Sequence, residues 1–208
     1  MDAKNRNQRM RQLFKKLNAE RKKQAQKTDV LCNDFVAAHR DFIKTLHALS
    51  FAANFYESIS GEIELANLLD TAGQAIKEQI NNANVVFFLK WQNSFKLHMF
   101  ENNPISLEKQ DLENCFTAEL VNHICRANKQ CGLEELLEMG MQANPVLLKD
   151  VCVFTVPLGQ FGSSLGFILI YCPSQNKIST ENLSRIVSVV PGLSKAIATC
   201  QTLLQIVE

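Results

Sequence analysis

Long apolar runs are missing from this sequence of 208 residues. Stretches such as Val85–Leu89 fall far short of the ~18 consecutive apolar residues that cross a bilayer. The start of the chain is polar and basic, without the apolar segment of a secretion signal. Both absences predict a cytoplasmic protein with no membrane span. CxxC spacing is missing too. The cysteines (32, 115, 125, 131, 152, 172 and 200) are odd in number, and most sit in apolar surroundings such as Val151-Cys152-Val153. This excludes a disulfide framework or zinc site and predicts reduced, buried thiols. No Ser/His/Asp arrangement or paired carboxylates stand out, so no catalytic residue is assigned and the chain is expected not to be an enzyme. His98 and His123 lack partners at i, i+4 and read as structural residues, so no metal ligand is assigned either.

Acidic residues are scarce at the start of the chain. Residues 1 to 27 hold ten Lys or Arg against Asp2 and Glu20, so this arm is +8 and the rest of the chain −7 within a net charge of +1. Such an arm suits nucleic acid, a membrane surface or an acidic partner. Only Phe14 interleaves the charges, which is poor equipment for base stacking, so a solvated basic helix is expected and no nucleic acid partner.

Glycine and proline are missing from Met10 to Ile59. One register runs through the stretch: Leu31, Phe35, Ala38, Phe42, Thr45, Leu49, Ala52, Tyr56 and Ile59 alternate at spacings of four and three. That spacing is a coiled-coil seam and predicts a homodimer, with Leu31, Phe35, Ala38, Phe42, Leu49 and Tyr56 at the interface. Ile43, Leu46 and Phe51 widen the apolar face, so part of the helix is expected to lie on its own domain. A polar stretch at 21 to 28 marks a zone of fraying or bending. The predicted organisation is a basic helical arm at 1–27, a dimerisation helix at 28–60 and a domain at 61–208.

In that domain Leu65, Leu68, Leu69, Ala72, Ile76 and Ile80 have helical spacing, and Asn81–Asn84 reads as a turn. Val85–Leu89 then reads as a strand buried on both faces. Gln92-Asn93-Ser94 predicts a turn into an alternating strand, with Phe95, Leu97 and Met99 on one face and Lys96, His98 and Phe100 on the other. Residues 101 to 149 carry helical patterns through Leu112, Cys115, Phe116, Leu120, His123 and Ile124, then Leu133, Leu136, Leu137 and Met141. Strands follow at Val151–Leu158 and Leu165–Cys172 around a glycine-bearing hairpin. Gly159, Gly162 and Gly166 have no Gly-Lys-Ser/Thr ending and lie between two strands, so they predict a hairpin rather than a phosphate loop. Ser179-Thr180-Glu181 opens a last helix, its hydroxyl capping the first turn. The order predicts an α+β domain: an antiparallel sheet with helices on one side and helical connections on the other.

This order resembles a GAF domain. The resemblance rests on Leu65-Leu68-Leu69 leading to Val85–Leu89, on Val156-Pro157-Leu158 with Gly166–Ile170, and on Ser179–Leu183, and it covers about residues 61 to 207. It implies a sensory or regulatory domain of a signalling protein, binding a small molecule or mediating dimerisation and controlling an output domain. The implied pocket lies between the sheet and the helical connection, and Phe87, Trp91, His98, Phe100, Phe116, His123, Cys152 and Phe154 are its candidate lining, a set equally consistent with a closed core. The Asn-Lys-X-Phe pattern of cyclic-nucleotide-binding members is missing, and no cysteine of the connection precedes the histidine that bilin attachment uses. No cofactor is assigned. A dimerisation or adaptor module without ligand is the alternative. The family also includes methionine sulfoxide reductases, whose cysteines lie where Cys115 and Cys125 stand, but their glycine-rich setting is missing.

The last helix carries a second heptad pattern in Ile186, Val190, Leu193, Ile197, Cys200, Leu204 and Val207, which predicts a second pairing seam. Pro191 predicts a kink or restart, and Gly192 beside it a hinge. The seam runs on to Glu208 without a cap or stop, which predicts an output domain joined to this helix.

Overall fold

The computed structural model describes residues 3–80, 82–91, 94–99, 115–142, 151–160, 163–176 and 178–207. They form α1 (Ala3–Ile59), α2 (Leu65–Glu78), β1 (Asn84–Trp91), β2 (Ser94–Met99), α3 (Ala118–Ala127), β3 (Cys131–Gly132), α4 (Leu133–Glu138), β4 (Val151–Gln160), β5 (Ser163–Pro173) and α5 (Thr180–Val207). The chain divides into two compact units, Met1–Leu49 and Ser50–Glu208.

The first unit is helix, including the polar stretch at 21 to 28 where fraying was expected. Without Gly or Pro, nothing in this segment breaks the backbone ladder. The hydroxyls of Thr28 and Thr45 turn back onto the carbonyls of Gln24 and Asp41, at 3.0 and 2.9 Å. The seam residues are bare: Leu31, Phe35, Phe42 and Leu49 are 68%, 72%, 61% and 66% exposed.

In the second unit the strands form one antiparallel sheet in the order β2-β1-β5-β4-β3. β1 sits beside β5, with Val85 opposite Ile170 and Leu89 opposite Gly166. Gly166 is required there: its φ is +137°, and a Cβ would lie 1.8 Å from the carbonyl oxygen of Phe88. β4 and β5 run further into the hairpin than the sequence pattern predicts, pairing out to Gln160 and Ser163 with a register shift at Leu158/Gly159. The two-residue β3 at the far edge was not anticipated; it carries too little sequence for an alternation to register.

Each sheet face has its own core. On one face Val85, Phe87, Leu89, Val156, Leu158, Ile168 and Ile170 pack under α2, α5 and the last turns of α1. On the other Val86, Phe88, Phe167, Leu169 and Tyr171 pack under α3 and α4. Phe51, Phe55 and Ile59 of α1 are buried in the first core, so the domain begins at about Ser50, ten residues or so before the boundary predicted from Gly61.

The part of the α5 seam from Ile186 to Ile197 is taken up by its own domain. Ile186, Leu193 and Ile197 are fully buried and Val190 nearly so, all within the core of their own domain. A helix packed on a sheet beside other helices needs an apolar stripe of similar period, so heptad spacing alone does not separate the two situations. The side chain of Leu204 lies outside the described residues. The same burial accounts for the composition of Thr180–Leu203, the one stretch of described helix long and apolar enough to cross a membrane. The helix assignment continues through Pro191 without a restart. Gly192 is no hinge but a seat for Tyr56, whose ring would stand 2.2 Å from a Cβ there, and whose hydroxyl reaches the carbonyl of Val189 at 3.4 Å. The expected cap at the start of α5 is present, with the amide of Asn182 donating to the Ser179 hydroxyl at 3.1 Å.

Candidate functional site

The face under α3 and α4 is the one on which a ligand was expected. Its centre is filled. Phe88 of β1 stacks on Phe167 of β5 with ring centroids 4.6 Å apart, and Phe116 closes over both at 5.0 and 6.0 Å. Three rings at these spacings leave no room between sheet and connection at that point.

Polar groups gather at the two ends of this aromatic block. At one end Asn84 and Tyr171 face each other across β1 and β5. Both are buried, and among the described residues neither the Asn84 amide nor the Tyr171 hydroxyl has a hydrogen-bond partner. Burial pushes Tyr171 up to about 12, so it is a neutral donor at physiological pH.

At the other end, where β1 runs out toward Trp91, lies a cleft of about 600 Å³. The strand ends supply Lys90 and Phe95, α3 supplies Asn122, Cys125 and Arg126 with its cap Asn128, and the β4–β5 hairpin supplies Gly159, Ser163 and Ser164. Local rules hold these pieces in place. Thr117 caps α3 by accepting from the Leu120 amide at 3.3 Å, and Asn128 ends it in the left-handed region at φ 44°. Beyond it, Glu135 accepts from the Gly132 amide at 2.9 Å and from the Lys129 ammonium at 2.8 Å, and these bonds hold its carboxyl below the usual range. The hairpin is tied to α5 by the Gly159 amide, which donates to the buried Ser194 hydroxyl at 3.1 Å.

The cleft carries two cations, Lys90 and Arg126, and among the described residues no Asp or Glu lines it. Neither cation is ion-paired among the described residues. Burial raises the Cys125 thiol above its ordinary value, opposed by the neighbouring Ser164 hydroxyl and by the charge of Lys90. The Ser164 oxygen is buried and makes no hydrogen bond of good geometry among the described residues.

The candidate lining residues do not come together. Phe87 is on the opposite face of the sheet, with Cys152 and Phe154 packed against that same core. His98 also turns that way, its Nε2 2.7 Å from the Asp70 carboxylate of α2. Trp91 is half-buried under the Lys96 ammonium, 3.8 Å from the ring centroid, and His123 is exposed on α3. Phe116 lies in the expected layer, alone among the seven described candidates, and Phe100 falls outside the described residues. The error in β1 and β4 is one of parity. Successive side chains alternate between faces, and a run apolar on both gives no sign of which is which. Lys90, Asn122, Asn128 and the two serines were missed; a lysine closing a five-residue apolar run was the available signal.

No protein-family model matches the sequence, and no curated protein matches it. Solved structures do. The GAF domain of an Acinetobacter phosphoenolpyruvate-protein phosphotransferase superposes with a TM-score of 0.54 at 15% identity, over 74% of this chain and 94% of that one. The GAF domain of the Coxiella burnetii phosphotransferase gives 0.55 at 13% identity, over 76% and 96%. This chain folds as a GAF domain. The likeness extends to the free methionine-R-sulfoxide reductase of Neisseria meningitidis in complex with its substrate, with a TM-score of 0.51 at 11% identity, over 74% and 90%. At such identities the GAF fold is what is shared. The fold expected from the strand and helix order is therefore the fold found.

Proposed function

We propose that the chain is a homodimeric, non-catalytic regulatory module, in which the helical stripe of residues 31–49 pairs two copies and the GAF domain binds a small molecule. The exposure of that stripe carries the reading. Leu31, Phe35, Phe42 and Leu49, each more than half exposed, share with Ala38 and Thr45 a register of alternating four and three along an unbroken helix. A large apolar stripe open to water is covered in solution, and this period fits a second helix of the same kind. A non-catalytic role is supported by the thiols: burial raises Cys125, Cys131, Cys172 and Cys200, opposite to what a nucleophilic cysteine needs. The output is an attached domain reached through α5, which packs on β4 and α2 and so registers any change in the core.

Sedimentation of the 23.4 kDa chain tests the pairing. A dimer at micromolar concentration is expected, with the Phe35→Lys variant monomeric and its GAF domain still folded. A monomeric parent chain, or a variant that stays dimeric, refutes the assignment. A second reading, an adaptor without ligand, is favoured by the Phe88–Phe167–Phe116 block that fills the centre of the face. The two separate by melting temperature, because a ligand selective for the folded form must raise it.

A further inference from the structure

We infer that the cleft between α3 and the β4–β5 hairpin binds the oxyanion, carboxylate or phosphate, of a small metabolite. This rests on the reading of the domain as a ligand-binding module and names the chemical class of its ligand. Three observations converge. Lys90 and Arg126 approach the cleft from β1 and α3, with no acidic residue in its walls and no ion pair to neutralise either among the described residues. Ser164 places a buried hydroxyl in the same wall, beside the Cys125 thiol, with no hydrogen bond of good geometry among the described residues. A buried hydroxyl without a well-formed hydrogen bond is destabilising, and an oxyanion acceptor relieves it. Asn122 and Asn128 add amide donors from α3 and its cap.

The competing account of Arg126 is local: a cation in the last turn of α3 complements that end of the helix dipole. The dipole amounts to roughly half a charge, against two full cations, so the cleft stays positive. Nothing comparable among the described residues accounts for Lys90, the last but one residue of β1. The walls are mainly polar and the cleft is open, so the charged group of the ligand sits at the wall and its remainder reaches solvent. Affinity falls as ionic strength rises, because exposed cations supply it.

The test uses the full chain with inorganic phosphate and with citrate as probes and glycerol as the uncharged control, followed by amide NMR shifts and calorimetry. Either anion at millimolar concentration is expected to shift the amides of Asn122, Ser163 and Ser164, with glycerol silent. The Lys90→Gln/Arg126→Gln double variant, with both changes at exposed positions, keeps its melting temperature and weakens binding at least ~10-fold, equal to ~1.4 kcal/mol. Ser164→Ala weakens it by a smaller factor. No shift with either anion, shifts elsewhere in the molecule, or undiminished binding by the double variant overturns the inference. Sedimentation of the same samples reports on the dimer separately. A dimer with a silent cleft counts against this inference alone, and a monomer that binds phosphate here counts against the pairing alone.

Discussion

Two stripes of the same period have opposite fates in this chain, and a pair of truncations measures the difference. Leu193 of α5 is fully buried in the core shared with α2 and β4, whereas Leu31 of α1 is 68% exposed. Removing a leucine side chain from a closed core costs about 2–5 kcal/mol, the lost transfer energy plus the cavity left behind. In a domain of this size each kcal/mol moves the melting temperature by ~2–4 °C, so Leu193→Ala lowers it by roughly 6–12 °C at a mid-range cost of ~3 kcal/mol. Leu31→Ala leaves the domain transition within ~0.5 kcal/mol of the parent, as surface changes do, and weakens self-association instead. The single tryptophan makes the assay specific: Trp91 ends β1, so its fluorescence follows unfolding of the domain. Sedimentation of both variants supplies the other half. Had Leu193→Ala dissociated the dimer while leaving the Trp91 transition in place, the placement of α5 in the domain core would be refuted.

Gly166→Ala places a methyl against the Phe88 carbonyl at a positive φ and is expected to cost about 3 kcal/mol or more, enough to be read as loss of the folded domain by circular dichroism. Ser179→Ala removes the cap of α5 and lowers stability by ~1 kcal/mol in urea titrations. Burial raises Cys172 to about 11 and Tyr171 to about 12 from ordinary values of 9.0 and 10.0. The unfolded chain therefore loses these protons first, so stability is flat in these groups below pH 9 and falls as pH rises from 9 toward 11 and beyond. Denaturation midpoints across that range check it, and Cys172→Ala should flatten the slope at its lower end.

The fold was legible because its signals were local and redundant. Val85–Leu89 could hardly be anything but a buried strand, the Ser179 hydroxyl announced its helix, and the glycines at 159 and 166 bracketed a hairpin. Contacts between distant residues were not legible. Phe87 and Phe88 are indistinguishable as letters, and which of them faces α3 depends on the register of β1 against β5, set by residues some eighty positions away. The heptads of α1 and α5 look alike for a related reason: period reports that a face is covered, never by what. The cleft was missed because Lys90, Arg126 and Ser164 come from three separate elements and form no motif in sequence.

The strand order has a consequence for how the chain is made. β1 pairs at once with β2, but its other neighbour is β5, across α3, α4 and β4, and the apolar face that β1 and β5 present is completed by α5, further along still. While a ribosome is still working toward residue 200, the interior edge of β1 has no native partner, and Val85, Phe87 and Leu89 have only α2 and the last turns of α1 to cover them. Pairings of such sequence separation form slowly and leave sticky surface bare in the meantime. The nascent chain is thus a natural client for chaperones that hold apolar segments, and a ribosome stalled before α5 emerges should yield a species that aggregates or is degraded.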